Sequence, residues 1–249
     1  MDTARESRDI LTMINLFVYS DSTAMPKPGY SSISESWPFL LKAKIESIDG
    51  RKVNLITRFM PATTAKEMQS IFARDATNFG FNEVNSEKNI VVFSFGVNDA
   101  APRPITYALR KITKIRFFGP KVWKILEIYF AKNKKAILKI GRYRFTRPRR
   151  FEAYLRKSFQ TSLGIHEFLL LTTPMPHTFL ETRTPGFRNS VMEFNARKIN
   201  VSRQFDKVRI VDLAGFDEDL YISKIDGHHF SRAGHEYVSN QILRIFESY

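Results

Sequence analysis

The chain is expected to fold as a doubly wound α/β domain, three layers deep, with helices on both faces of a parallel five-stranded sheet and a helical insertion. Three observations lead there. Five short runs rich in β-branched and aromatic residues recur along the 249 residues. Longer stretches of helical character separate them, which is the alternation of a parallel sheet with crossover helices. Most of the runs also lack period-2 alternation, as strands buried on both faces do.

The first strand is read over Asn15–Tyr19 and leads into the polar cluster Ser20-Asp21-Ser22-Thr23. The second, Lys52–Thr57, is followed by a loop over 58–64 and a helix over Thr64–Phe79, where Thr64 and Glu67 stand at capping-box spacing. The third, Ile90–Phe95, runs into Gly96-Val97-Asn98-Asp99 and then a helix over Pro104–Thr113. From Gly119 to Leu163 two helix-like segments, Gly119–Lys132 and Arg149–Leu163, follow one another with no strand between. That stretch, about 119–163, is expected to be the insertion or cap. The fourth strand, Glu167–Thr172, precedes a helix over Phe187–Arg203, and the fifth, Lys207–Leu213, precedes one over Ala233–Phe246. With no internal repeat or low-complexity linker, residues 1–249 are read as one domain.

Composition narrows the chemistry. There is no cysteine, which removes disulfides, thiolate metal sites and cysteine nucleophiles. The N-terminal apolar run is broken by Thr12 and Asn15 and does not have the form of a signal peptide. No apolar stretch approaches the ~20 residues of a membrane span, so the expected location is cytoplasmic, with peripheral membrane association allowed. The net charge is +14, and Lys132 to Arg150 is basic and interleaved with aromatics. Such a segment suits an anionic glycan or an anionic membrane surface. It carries no nucleic-acid recognition motif, and a solvated basic face is the plain alternative. Oligomeric state has no signature.

In open α/β sheets, functional groups gather beyond the carboxyl ends of the strands. Ser22 follows the first strand, Asn98 the third, and Asp226-Gly227-His228-His229 the fifth after a short loop. Serine needs a base within hydrogen-bond reach, normally a histidine that a carboxylate orients. Ser22 is therefore the candidate nucleophile, His229 its base and Asp226 the orienting carboxylate. The Ser22 N–H and the Asn98 side chain are candidate oxyanion donors; one pre-organised donor is worth ~3 kcal/mol. Taken singly, Ser22, Asn98 and Asp99 could each be helix caps. Asp21 is read as holding the turn. Arg103, between two prolines, and His228 are candidate substrate contacts. Asp226, His228 and His229 could suggest a metal, but successive residues seldom face one ion and no second ligand cluster accompanies them. No metal or cofactor is expected. His235 is read as capping or packing the last helix, and His166 and His177 fit no motif.

These blocks resemble those of the SGNH (GDSL-like) hydrolases, which carry a serine in a GDS block, a glycine, an asparagine in a GxND block and a histidine in a DxxH block. Here they stand as Ser20-Asp21-Ser22, Gly96-Val97-Asn98-Asp99 and Asp226-Gly227-His228-His229, in family order over nearly the whole chain. The resemblance implies a flavodoxin-like α/β/α fold and a Ser22–His229–Asp226 triad. Two positions depart from the pattern: Ser20 replaces the first glycine, and 58–64 contains no glycine, which leaves one backbone oxyanion donor to a residue near Met60 to Ala62. Asp21 to Pro26, Ser36 to Leu40 and Asp99 to Pro104 are similar to SGNH proteins of polysaccharide biosynthesis. The implied function is a serine esterase, in particular a carbohydrate O-acetyl esterase acting on an acylated carbohydrate or other small ester. The alternatives are an O-acyltransferase using the same triad, or a non-catalytic glycan-binding protein on this fold.

Overall fold

The computed structural model describes residues 13–26, 32–49, 51–78, 88–103, 124–125, 128–129, 132–133, 136–138, 144–161, 164–213 and 215–247. Strand β1 spans Ile14–Ser20 and helix α1 Trp37–Asp49. Next come β2 (Val53–Phe59), α2 (Ala65–Asn78), β3 (Lys88–Ser94) and the short α3 (Val97–Ala100). Helix α4 (Pro148–Gln160) leads to β4 (Glu167–Leu171), then α5 (Phe179–Arg183) and α6 (Phe187–Ser202). The chain closes with β5 (Val208–Val211), α7 (Glu218–Tyr221) and α8 (Arg232–Glu247).

The five strands are all parallel, in the order β2-β1-β3-β4-β5. This is the flavodoxin-like doubly wound order, whose switch point lies between β1 and β3. Every residue of β1 and β4 is buried, whereas edge strands β2 and β5 carry exposed positions. Side chains still alternate between faces, although both faces are apolar. Phe17, Tyr19, Val91, Phe93, Phe168 and Leu170 point to the layer of α2, α4 and α6. Leu16, Val18, Ile90, Val92, Leu169 and Leu171 point to the layer of α1 and α8. Each face is covered by apolar surface at helical spacing, such as Phe151, Leu155 and Phe159 on α4 and Trp37, Leu41 and Ile45 on α1.

Two readings of the sequence change here. Helix α1 has no counterpart among the expected helices; its signal is Ser36 before Trp37-Pro38, a start suited to proline in the first turn, followed by an i, i+4, i+8 apolar row. Helix α4 begins near the expected Arg149, but it is buried against α2 and α6 and joins β3 to β4. This part of the stretch expected as a cap is a crossover helix of the core, because its apolar row has to cover the sheet. The helix expected over Pro104–Thr113, and most of that over Gly119–Lys132, lie outside the described residues.

Candidate active site

The end of β1 is locked to both neighbours. Ser20 is paired with Phe59 of β2 and Ser94 of β3. The Asp21 N–H donates to the Ser94 carbonyl at 3.1 Å, and the Met60 N–H to the Ser20 carbonyl at 2.9 Å. Ser20 has no positive φ, and its hydroxyl donates to the Ser94 carbonyl at 2.9 Å. A serine in the glycine's place therefore carries no backbone strain and adds a tie between strands. Asp21, fully buried, caps the 3-10 turn Ser22–Ala24 by accepting from the N–H and hydroxyl of Thr23 at 2.9 and 2.7 Å. Ser22 is thus presented on a rigid turn just beyond the sheet. Its N–H meets no acceptor among the described residues.

The histidine comes from a closed loop between α7 and α8. The Ser223 N–H donates to the His229 carbonyl and the Gly227 N–H to the Ser223 carbonyl, each at 2.8 Å. Gly227 has φ +77, and a Cβ there would lie 2.7 Å from both Phe179 and Leu180, so only glycine fits. Asp226 Oδ1 accepts from the backbone N–H groups of His228 (3.2 Å) and His229 (3.1 Å), and its Oδ2 lies 2.7 Å from His229 Nδ1. A carboxylate only accepts, which assigns the ring proton to Nδ1 and leaves Nε2 as an acceptor. That Nε2 lies 2.9 Å from Ser22 Oγ. Burial acts to raise the Asp226 pKa, but the hydrogen bonds from the His229 ring and backbone, with the charges of both histidines, hold it well below the usual carboxylate range. The His228 ring lies tilted by 44° against that of His229 with centroids 4.1 Å apart, and burial, then the charge of His229, lowers its pKa.

The third contribution follows β3. Gly96 turns the chain at φ +125 and opens α3. Asn98 is half-buried, and its Nδ2 is shielded from solvent and has no partner among the described residues. Such an amide is a donor held in readiness for an acceptor. Its Oδ1 is turned away, 3.5 Å from Nη2 of Arg103, whose guanidinium sits 4.4 Å from the Phe145 ring centroid. Arg103, expected at a substrate anion, thus faces Asn98 and an aromatic ring. Asp99 is fully buried and accepts from the Ala65 N–H with both oxygens, at 2.9 and 3.2 Å, which ties the start of α2 to α3. Burial raises its pKa to about 7.

The glycine-free loop after β2 has its own answer. Ala62 has φ 59, the only positive φ of a non-glycine among the described residues. The N–H groups of Met60, Thr63, Thr64 and Ala65 are all donated within the protein, whereas that of Ala62 meets no acceptor among the described residues.

The remaining histidines sort themselves. His177, which fits no motif, donates its N–H to the Gly227 carbonyl at 2.9 Å and so supports the histidine loop. His166 accepts the Asn89 N–H at the opposite end of the sheet. His235 is buried at the start of α8 and accepts the Trp37 N–H on Nδ1 at 3.3 Å. Asp226, His228 and His229 could offer ligand atoms within 4.8 Å of one another. Both Asp226 oxygens, however, are engaged by N–H groups, and His229 Nε2 faces Ser22. The arrangement is that of a nucleophile, a base and an orienting carboxylate, with uncommitted N–H donors on neighbouring strand ends.

No protein-family model matches the chain, and no curated protein sequence matches it. Solved structures do. A lipase/acylhydrolase from Enterococcus faecalis superposes with a TM-score of 0.63 at 16% identity, covering 94% of this chain and 95% of that one. TesA gives 0.58 at 16% identity over 92% and 96%. An acetylxylan esterase from Geobacillus stearothermophilus gives 0.59 at 13% identity over 92% of each chain. At these identities the likeness is one of fold, and it spans nearly the whole length.

Proposed function

We propose that this chain is a serine esterase that works through an acyl-enzyme on Ser22, with O-acetylated carbohydrate as its substrate. The observation that carries the proposal is the continuous relay from Ser22 Oγ through His229 to Asp226, at 2.9 and 2.7 Å. Ser22 Oγ attacks the ester carbonyl while Nε2 of His229 takes its proton. Asp226 holds the Nδ1–H and stabilises the imidazolium. The oxyanion is met by the Asn98 amide, the Ser22 N–H and the Ala62 N–H. On collapse, His229 returns the proton to the leaving alcohol; water, deprotonated by the same Nε2, then releases the acid and restores Ser22. A sugar hydroxyl in place of that water would make the chain an acyltransferase, with the same residues in the same roles.

The carbohydrate substrate is supported by the acetylxylan esterase among the structures of like fold. A local feature favours an acidic glycan. Thr146 and Phe145, just before α4, contact Asp99 and Arg103 of the Asn98 segment. Arg147, Arg149 and Arg150 follow at once, exposed and without ion-pair partners among the described residues. They sit at a helix N-terminus, where the dipole disfavours cations. An anionic substrate would relieve that arrangement.

Intact-mass labelling with a fluorophosphonate tests the first claim. One adduct, absent in Ser22→Ala and strongly slowed in His229→Ala, is expected; no adduct on folded protein would remove the esterase reading and leave the non-catalytic glycan-binding one. Turnover of acetylated neutral and acidic oligosaccharides tests the second. Replacing the three arginines by glutamine should raise KM for the acidic substrate about tenfold, and an equal change for both would remove the acidic-glycan reading.

A further inference from the structure

Beneath the Asn98 segment lies a buried lysine that the relay does not use. Lys198, on α6, has no exposed surface. Its Nζ donates to the carbonyls of Phe95 (2.6 Å) and Leu171 (2.8 Å) and to the Thr173 hydroxyl (3.0 Å). An ammonium has three N–H donors and no acceptor, and here each donor has one oxygen. Phe95 is the residue before Gly96, and Leu171 ends β4. One side chain thus ties the strand end that carries Asn98 to the neighbouring strand.

The surrounding residues are built for it. A Cβ on Gly96 would come 3.1 Å from Thr173 Oγ1 and 3.3 Å from Lys198 Nζ, so the glycine of this block makes room for the lysine. One turn earlier on α6, Asn195 clamps Thr173 through its N–H (2.8 Å) and carbonyl (2.7 Å). Two turns earlier, the Ser190 hydroxyl donates to the Ala100 carbonyl at the end of α3 at 2.6 Å. The same helix face therefore holds the segment at both ends. The charges that act on Lys198 are Asp21 and Asp99, the aspartates of the first two motif blocks. Burial lowers the lysine pKa to about 7, while the two aspartates oppose that shift.

Stability alone does not single out a lysine at this position. Removing an ammonium from water costs several kcal/mol, while losing the side chain would leave the Phe95 and Leu171 carbonyls without this donor. We propose that Lys198 is a positioning residue of the oxyanion site: by holding the Phe95 and Leu171 carbonyls it fixes the Gly96–Asn98 turn, so that the Asn98 amide faces the reacting carbonyl. This inference rests on the esterase reading above.

The test is kinetic, on folded full-length protein with p-nitrophenyl acetate. Lys198→Met, close in length and uncharged, should lower kcat roughly 10- to 100-fold with KM within about twofold, the effect of a misplaced catalytic group. Its melting temperature should fall, because the Phe95 and Leu171 carbonyls lose their donor, so the kinetic loss is read on protein shown folded by circular dichroism. In the double variant Lys198→Met/Asn98→Ala the loss should be no greater than in Asn98→Ala alone, because the lysine acts through the asparagine. Thr173→Val removes one acceptor at nearly constant volume and should lower kcat severalfold; Thr173→Ser should restore it. An unchanged kcat in Lys198→Met, or losses that multiply in the double variant, would overturn the assignment. If Lys198→Met does not fold, a Thr173→Val protein with full kcat overturns it instead. Wild-type protein that neither labels nor hydrolyses ester would bring down the esterase reading and this one together. A labelled wild type with an unaffected Lys198→Met would bring down this one alone.

Discussion

The Ser22 hydroxyl and Nε2 of His229 meet at 2.9 Å although 207 positions separate the two residues. Neither is held by its partner alone. The capped turn behind Asp21 fixes the serine, and the Asp226 carboxylate fixes the histidine through its ring and its backbone N–H. The pair is therefore pre-organised from both sides, and the consequences can be measured separately.

Asp226→Asn should leave the fold intact and lower kcat about 10³–10⁴-fold. The amide no longer enforces the Nδ1–H tautomer or stabilises the imidazolium. Steady-state kinetics beside circular dichroism checks this, and a loss below tenfold would deny Asp226 its role.

Asn98→Ala removes the uncommitted amide. We expect kcat to fall about 10²–10³-fold with little change in KM, as for one oxyanion donor. A change confined to KM would make Asn98 a substrate-binding residue instead.

Gly227→Ala forces an L side chain to φ +77 and against Phe179 and Leu180. Backbone strain alone costs about 1–3 kcal/mol. A lower melting temperature together with slower fluorophosphonate labelling is expected, since the loop carries both Asp226 and His229. Unchanged labelling would show that the loop geometry tolerates the change.

Ala62→Gly should do the opposite. Left-handed backbone costs a non-glycine about 1–2 kcal/mol, partly offset by the greater unfolded-state entropy of glycine. A net gain of about 0.5–1 kcal/mol in thermal or urea unfolding is expected, with activity kept because the N–H remains. A loss of stability would mean that Ala62 is unstrained.

His235 supplies an acid-sensitive contact. Burial, and after it the charge of His229, lowers its pKa from 6.5 to about 4. Folding thus favours the neutral ring that accepts the Trp37 N–H. The contribution is complete above pH ~6.5 and is lost as pH falls towards ~4, in all about 3 kcal/mol. In urea titrations, the advantage of wild type over His235→Gln should shrink by about that amount between pH 7.5 and pH 4. A constant difference would refute it.

Much of this was legible along the chain. The five strands lie within two or three residues of the apolar runs, because each run is bounded by polar turn residues. Ser22, Asn98, Asp226 and His229 were legible because each follows a strand end and their types fit one chemistry. Helix α1 stands outside the expected elements, although Ser36 and its apolar row mark it. Lys198 had no signal: a lysine within Arg197-Lys198-Ile199 reads as a solvated face, and its burial comes from strand ends and residues up to 103 positions away. The approach of Arg103 to the Phe145 ring has no signal in the Pro102-Arg103-Pro104 turn that makes it a candidate substrate contact, because the ring is remote in sequence.

Local apolar periodicity and turn chemistry dictate which segments become strands and which residue types stand at their ends. Tertiary structure alone decided the neighbours. It set the order β2-β1-β3-β4-β5, the 2.9 Å approach of Ser22 to His229, the left-handed turn at Ala62 and the three-oxygen cage around Lys198. Most buried polar atoms find a partner, and which one is within reach is settled only when distant segments pack together.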